Sequence, residues 1–483
     1  MRFNYDGYET IVGLEVHAQL LTQSKLFCGD SAAYGGEPNT HVSPVTLAHP
    51  GTLPVLNKKA VAYAVKMGLA CHCEIERDNY FARKHYFYPD LPKGYQISQH
   101  TTPVCKGGYV KIRTAWGEKN IQLNRIHLEE DAGKSLHDVD PDSTSIDFNR
   151  AGVPLIEIVT EPVIRSADEA FTFLVELRKI LRYLGICDGN MEEGSLRCDA
   201  NVSIRLKGET QLGTKVEVKN LNSIRNVKHA IAYEVERLIE LAEKGESIRQ
   251  QTRSFDADRG ISFALRTKEE ANDYRYFADP DLPPFHLTDS FVEAIRATIP
   301  ELPEELMMKY TSVLNLSEYE ARVICDDKET ADYFEEVIKE TRHPKAASNW
   351  LLGPVKSWLN EHHLLIANFA LPAKTLAALI ELVEEGKLNF SVAASRIFPE
   401  LIKKPSWTPL QMAESMNLLQ NSDTVEISGW IEEALAKMPD KVTEYKKGKK
   451  GLIGLFVGEV KKISKGKADP VLTNRLLLEK LEN

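Results

Sequence analysis

Long apolar runs are missing from this chain of 483 residues, and nothing in it approaches the roughly 20 consecutive apolar residues of a membrane-spanning helix. The opening MRFNYDGYET has neither the basic start nor the apolar middle of a signal peptide. Both absences predict a cytoplasmic protein. Cysteine is scarce as well: seven residues, at 28, 71, 73, 105, 187, 198 and 325, are scattered and odd in number, which excludes a disulfide framework and fits a reducing compartment. No excess of positive charge exists, since 60 Lys and Arg against 70 Asp and Glu leave a formal charge of -10, so the chain is not one that coats nucleic acid indiscriminately. Familiar signatures are absent too. No GxSxG elbow occurs, AGKS at Ala132 to Ser135 has Leu128 where a phosphate loop needs its first glycine, and Cys71, His72 and Cys73 lack a second ligand cluster at zinc spacing.

What is present is ordinary globular composition, 43% hydrophobic and 27% charged, in a chain long enough for two to four domains. Up to about Pro284 the pattern is strand-rich, with period-two stretches interrupted by helical patterns over 167–184 and 223–244. This predicts an α+β fold. The segment ADPDLPPFHL then changes the period, and a joint is expected near residue 290. Helical patterns follow over 303–313, 317–325, 328–340, 344–359 and 373–385, a second joint lies at KKPSWTPL, and further helices are expected over 410–419 and 424–438. The expected domains are therefore 1–290, 291–405 and 406–483.

In GLEVHAQL, a strand would place Val12, Leu14, Val16, Ala18 and Leu20 on one face and Gly13, Glu15, His17 and Gln19 on the other. LRCDANVSIRL repeats the division, with Arg197, Asp199, Asn201, Ser203 and Arg205 on the polar side, and TKVEVKNLNS adds Lys215, Glu217 and Lys219 before a helix capped by Asn222 or Ser223. For any single strand, plain solvent exposure accounts for such a face. The composition, Glu, His, Asp and Arg rather than Thr, Lys and Ser, points to a site. IHLEEDAGKS contributes Glu129, Glu130 and Asp131, and GVPLIEIVTEP sets Glu157 among aliphatics, where it is a paired core glutamate, a metal ligand or an acid of raised pKa. Carboxylates with one imidazole suit Mg²⁺ or Mn²⁺ better than Zn²⁺. Near the end, nine lysines and three acids between Asp440 and Lys467 give a local charge of +6, and the apolar stripe of Leu452, Ile453, Phe456, Val457 and Val460 would anchor a helix flanked by those lysines; a solvated face and a phosphate-contacting surface both fit.

The motifs GLEVHAQLLTQSKLFC, HPGTLPVLN, RKHYFYPDLPKGYQISQ, HLEEDAGKS, DFNRAGVPLIEIVTEP, EEGSLRCDANVSIR, VEVKNLNS and DYRYFADPDLPP, in this order along the whole chain, resemble the B subunit of the bacterial aspartyl/glutamyl-tRNA amidotransferase. The resemblance implies a cradle domain related to glutamine synthetase, a helical domain and a small tRNA-binding tail domain. It implies ATP-dependent phosphorylation of the side-chain carboxylate of Glu-tRNA(Gln) or Asp-tRNA(Asn), then amidation by ammonia. The chain has no amidase-type glycine- and serine-rich stretch, so the ammonia is expected from a glutaminase A subunit, with a small C subunit completing a heterotrimer. By the same resemblance Glu15 and His17 become ligands of Mg²⁺ or Mn²⁺ and of the ATP phosphates, with Glu130, Glu157 and Asp199 as further acids around the ion. Arg197 and Lys219 face the same polar surface and are either phosphate or carboxylate partners at the nucleotide or ordinary salt bridges. Strict alternation instead groups Glu129 with Arg125 and His127, and a bulge or strand end would reconcile it with Glu130, so both acids are kept. Relatives carry four zinc-ligand cysteines where this chain has Cys28, Asp30, Ser43 and Thr46, so no structural zinc is expected. Arg275 of DYRYF is either a phosphate partner or an ordinary ion pair. The alternative to an enzyme is a tRNA-binding scaffold with its chemistry in partner subunits.

Overall fold

The computed structural model describes residues 5–267, 274–420, 424–464 and 467–482; Asp273 of DYRYF and Lys465 of the lysine-rich segment lie outside them. The chain divides into two compact units, Met1–Pro303 and Glu304–Asn483.

The first unit is built on a thirteen-stranded mixed sheet. Its strands and flanking helices are β1 (Tyr8–Gln19), α1 (Lys58–Ala70), β2 (Ala82–His85), β3 (Tyr95–Ser98), β4 (Gly117–Glu130), β5 (Pro154–Thr160), α2 (Ala167–Tyr183), β6 (Leu196–Leu206), β7 (Val216–Leu221), α3 (Ile224–Glu243), β8 (Gln251–Asp256), β9 (Ile261–Thr267) and β10 (Phe277–Ala278). Along the sheet the order is β9, β8, β7, β6, β1, β5, β4, β3, β2, β10, and shorter strands branch from it. Only β7 and β8 pair in parallel along this path. The alternation of β1 is realised: Val12, Leu14, Val16 and Ala18 are fully buried, in one cluster with Phe173 and Leu177 of α2 and Val227 and Ile231 of α3. Each valine or leucine among them contributes about 2 kcal/mol by leaving water. A one-residue slip would expose them all and bury Glu15 and His17 instead, which fixes the register.

The helices begin where their sequences cap them. Ser166 and Ser223 accept hydrogen bonds from Glu169 N and Asn226 N at the starts of α2 and α3. Asn220 takes a positive φ of 61°, and between Cys198 and Ala200 the pairing of β6 with β7 shifts register. That irregularity inserts Asn220 after Lys219 and returns Leu221 to the buried face. Farther along, the helix Asp289–Arg296 packs Val292 and Ile295 into the first unit's core. The loop between β1 and α1 holds Cys28, whose Sγ lies 3.4 Å from Thr46 Oγ1, and that hydroxyl donates to Asp30 Oδ2 at 2.5 Å. Ser43 also hydrogen-bonds Asp30.

The second unit is helical. Glu318–Cys325 starts on a Ser317/Glu320 capping box, Lys328–Glu340 on Asp327, and Pro344–Trp350 runs through a π turn, Leu351–Val355, into Lys356–Glu361. Toward its end Ile427, Ile431, Phe456, Val460, Leu477 and Leu481 form a separate apolar cluster.

One buried ion group ties α3 to the edge of the sheet. Glu234, fully buried, accepts from Arg253 Nε at 2.9 Å and Arg237 Nη2 at 2.7 Å, and Ser262 donates to it as well. Glu234→Ala would leave Arg253 buried without its carboxylate, so we expect it to lower unfolding stability by about 3 kcal/mol. Urea unfolding followed by circular dichroism measures this.

Candidate functional site

The open face of the sheet collects the ionisable groups through strand register. His17 stands opposite Glu157 of β5 and Arg197 of β6, Glu15 stands opposite Asp199, and Glu157 stands opposite His127 of β4. The result is a polar row running across strands, one residue deep. His17 Nε2 lies 3.4 Å from Glu157 Oε2, and His127 Nε2 lies 3.6 Å from that oxygen and 3.2 Å from Glu129 Oε1. Ser98 Oγ donates to Glu129 at 2.7 Å and Gln96 Nε2 at 3.2 Å. Across β1, Asn201 Nδ2 donates to Glu15 at 2.9 Å, while Lys219 Nζ reaches Asp199 at 2.7 Å and Glu217 at 3.3 Å. Two ligand sets emerge, His17 with Glu129 and Glu157, and Glu15 with Asp199 and Glu217, each with donor atoms within 4.8 Å of one another.

Glu130 is not among them. From Arg125 onward β4 alternates without a further bulge to bring Glu130 round, so its carboxylate turns to the other side and accepts from Ile97 N at 2.9 Å and from Lys93. It lines a separate cleft of about 800 Å³, open mouth included, together with Lys25 and Cys28, where burial lowers the Lys25 amine to about 8. Of the residues expected around one ion, the structure therefore gathers His17 with Glu157 and Glu15 with Asp199, with Glu129 in the first pair's group. Arg197 donates to Asp131 at 3.0 Å, which also accepts from Gln19 at 2.7 Å. Arg275 is exposed, with φ 44°. Lys84 of β2 was missed: its strand is only four residues long, too short for period-two alternation to register, and its pairing with Gln96 sets it on the same face. Glu217 and His127 showed as polar-face residues, but their partners followed only from register.

The electrostatics follow from this crowding. Burial, then the carboxylates of Glu157, Asp199 and Glu217, raise the pKa of Glu15. Burial works against the His17 imidazolium, yet the hydrogen bond and charge of Glu157 outweigh it and raise its pKa. For Glu157 burial would favour the neutral acid, but His127, His17 and Lys84 hold it well below the usual carboxylate range. Burial and Glu157 oppose ionisation of Glu129 also, and Lys84 with His127 more than offsets them. Lys84 and Lys219 are both partly desolvated and both held protonated, the first chiefly by Glu129 and the second by Asp199 and Glu217. Beside Glu15 a second cleft, about 700 Å³ with its mouth, is lined by Gly13, Asn201, Ser203, Gly213 and Lys215. Gly213 is required there, because a Cβ would fall 2.1 Å from the Ile204 carbonyl oxygen.

A raised carboxylate pKa means that Glu15 stabilises the fold while protonated, and that this contribution is lost as pH rises through its folded pKa. We therefore expect Glu15→Gln to melt at higher temperature than the wild type at pH 7–8 without divalent cations, the gap closing toward pH 4. Thermal unfolding across that pH series checks the sign.

Comparison with known proteins agrees with this architecture. Residues 10–293 match the GatB/GatE catalytic domain and residues 332–481 match the GatB domain. The chain is 48% identical over 478 residues to the B subunit of aspartyl/glutamyl-tRNA(Asn/Gln) amidotransferase from Geotalea daltonii, covering 98% of this chain and 99% of that one. It is 49% identical over 477 residues to the protein of the same name in Geotalea uraniireducens, and 48% over 478 residues to that of Caldicellulosiruptor saccharolyticus, with the same coverage in both cases. A mixed-sheet catalytic domain followed by a helical region, matched over both parts and along almost its whole length, places this chain in the GatB family, the B subunits of aspartyl/glutamyl-tRNA(Asn/Gln) amidotransferase.

Proposed function

We propose that the polar face of the first unit binds ATP with two Mg²⁺ or Mn²⁺ ions and phosphorylates the side-chain carboxylate of Glu-tRNA(Gln) or Asp-tRNA(Asn), which ammonia then converts to the amide. The observation that carries this reading is the pair of ligand sets meeting on β1, one through His17 and one through Glu15. Their donors are hard oxygens with a single imidazole, the chemistry of Mg²⁺ or Mn²⁺. The like-charge crowding that raises Glu15 is what a bound cation relieves. His17, Glu129 and Glu157 would hold one ion and Glu15, Asp199 and Glu217 the other, and such ions supply neutralisation of phosphate charge. A free carboxylate is a poor electrophile because attack must expel an oxide. Attack of its oxygen on the γ-phosphorus of ATP breaks the bond to ADP and gives an acyl phosphate, and the nitrogen of ammonia then displaces phosphate from the carbonyl carbon.

The chain's own groups have defined tasks in this scheme. Lys219, pinned between Asp199 and Glu217, would face the nucleotide from β7, and Arg197 of β6, held by Asp131, would face it from beside His17. In-line transfer needs the amino acid to enter from the opposite side, toward β4 and Lys84. The sheet, polar within and covered by helices outside, fits a glutamine synthetase-like cradle. We assign the supply of ammonia to a glutaminase A subunit held by a small C subunit; the relatives are themselves named as one lettered component, which is the naming of a multi-subunit enzyme. Residues 406–483 would form the tail domain that contacts tRNA, with its own apolar cluster and lysines. Among the described residues no helix is long and apolar enough to cross a membrane, and we place the enzyme in the cytoplasm. A pure scaffold gives no account of two convergent ligand sets.

Purified chain with ATP, Mg²⁺ and misacylated tRNA should form amide from ammonium, and from glutamine only when the A subunit is added. Glu129→Gln and His17→Ala should each lower that activity on the order of 100-fold while leaving tRNA binding nearly intact, measured by filter binding; equal loss of both would favour the scaffold. Deleting residues after Lys404 should weaken tRNA affinity and flatten its salt dependence, by about 0.9 in slope for each phosphate contact removed, with ATP binding preserved.

A further inference from the structure

Beyond the ligand sets, the polar face ends in aromatic rings. Lys84 Nζ lies 5.2 Å from the centre of the Tyr274 ring and 5.9 Å from that of Tyr86. Tyr86 meets Tyr274 edge-on at 6.3 Å and Tyr88 at 5.9 Å, and Tyr276 stacks flat on His100 at 4.0 Å. These rings continue the site, because Lys84 acts electrostatically on Glu129 and Glu157 as well as on Tyr276 and Tyr86. Packing explains the half-buried tyrosines. It does not explain Phe87, which is 90% exposed beside a Tyr88 that is 53% exposed, on the segment that leads directly out of the site strand β2.

We propose that this aromatic rim receives the 3′-terminal nucleoside of the aminoacylated RNA, its base stacking on Phe87 and Tyr88 and its esterified amino acid extending past Lys84 toward Glu129. The inference rests on the reaction assigned above and adds the residues that hold the RNA end. Three observations select this occupant. A base presents a flat π-face and its backbone an anion, which match rings interleaved with a lysine ammonium. The rim stands two strand spacings from β4, about 10 Å, a separation suited to a ribose ester bearing a side chain. The adenine of ATP is the other flat base in the reaction, but Lys219 and the Gly213 cleft lie across β1 from the rim, and in-line transfer keeps the two bases apart.

The test uses the full-length chain assembled with its A and C subunits. In steady-state amidation, Phe87→Ala/Tyr88→Ala should raise KM for the misacylated tRNA about ten-fold while kcat and KM for ATP stay near wild type, and Phe87→Tyr/Tyr88→Phe should restore KM. An RNA hairpin whose 3′ overhang ends in 2-aminopurine should lose fluorescence on binding the wild type and keep it with the double alanine variant. An unchanged KM, or quenching that excess ATP abolishes, would overturn the proposal, the second by assigning the rim to the nucleotide. Quenching by a wild-type complex that forms no amide would uphold the rim and refute the reaction instead.

Discussion

Carboxylates opposite one another on paired strands stand about 5 Å apart, and at an effective dielectric near 20 such a pair repels by roughly 3 kcal/mol. Glu15 and Asp199 are in that position, with Glu217 and Glu157 close by. Much of the first unit is arranged around this repulsion. Lys219 and Asn201 attend one group, and His17, His127 and Lys84 the other, yet the compensation differs. The second group is balanced by cationic partners, which hold Glu157 and Glu129 ionised. The first leaves Glu15 with an elevated pKa. That residual tension is kept by the covered face, whose aliphatic burial fixes the register and gives the acids no way to turn aside.

The asymmetry has a chemical reading. The balanced group already has its carboxylates ionised and needs only to shed the His17 proton to ligate a cation, whereas a group with a raised acid gains more when a cation arrives and gives more back when it leaves. On the proposed reaction the nucleotide, which must enter and depart each cycle, lies by the second kind. The amino-acid end lies by the first, between a fixed lysine and the aromatic rim.

Sequence reasoning reached the strands that carry the site because the long ones, β1 and β6, alternate cleanly over 12 and 11 residues. Alternation groups Glu129 with His127 while motif likeness points to Glu130, and both are kept; the structure sets Glu129 on the polar face because β4, after a register shift between Leu123 and Arg125, keeps its period to Glu130. What stayed hidden was of two kinds. Lys84 sits on a four-residue strand where no period is legible, and its role follows from pairing with Gln96. The gathering of Glu217 with Glu15 depends on the order of strands, which places β7 next to β6 and β6 next to β1, a long-range fact that no local pattern encodes. Helix ends fared better, since Ser223 and Ser317 announce themselves by their own side-chain chemistry.

The corner formed by Cys28, Asp30, Ser43 and Thr46 shows how short polar side chains can fasten a long loop. A thiol, a carboxylate and hydroxyls bond to one another there in a closed set. Such a clasp shares its fastening among four side chains, so trimming one hydroxyl would loosen the loop between β1 and α1 by degrees and leave the Asp30 carboxylate with its remaining donors.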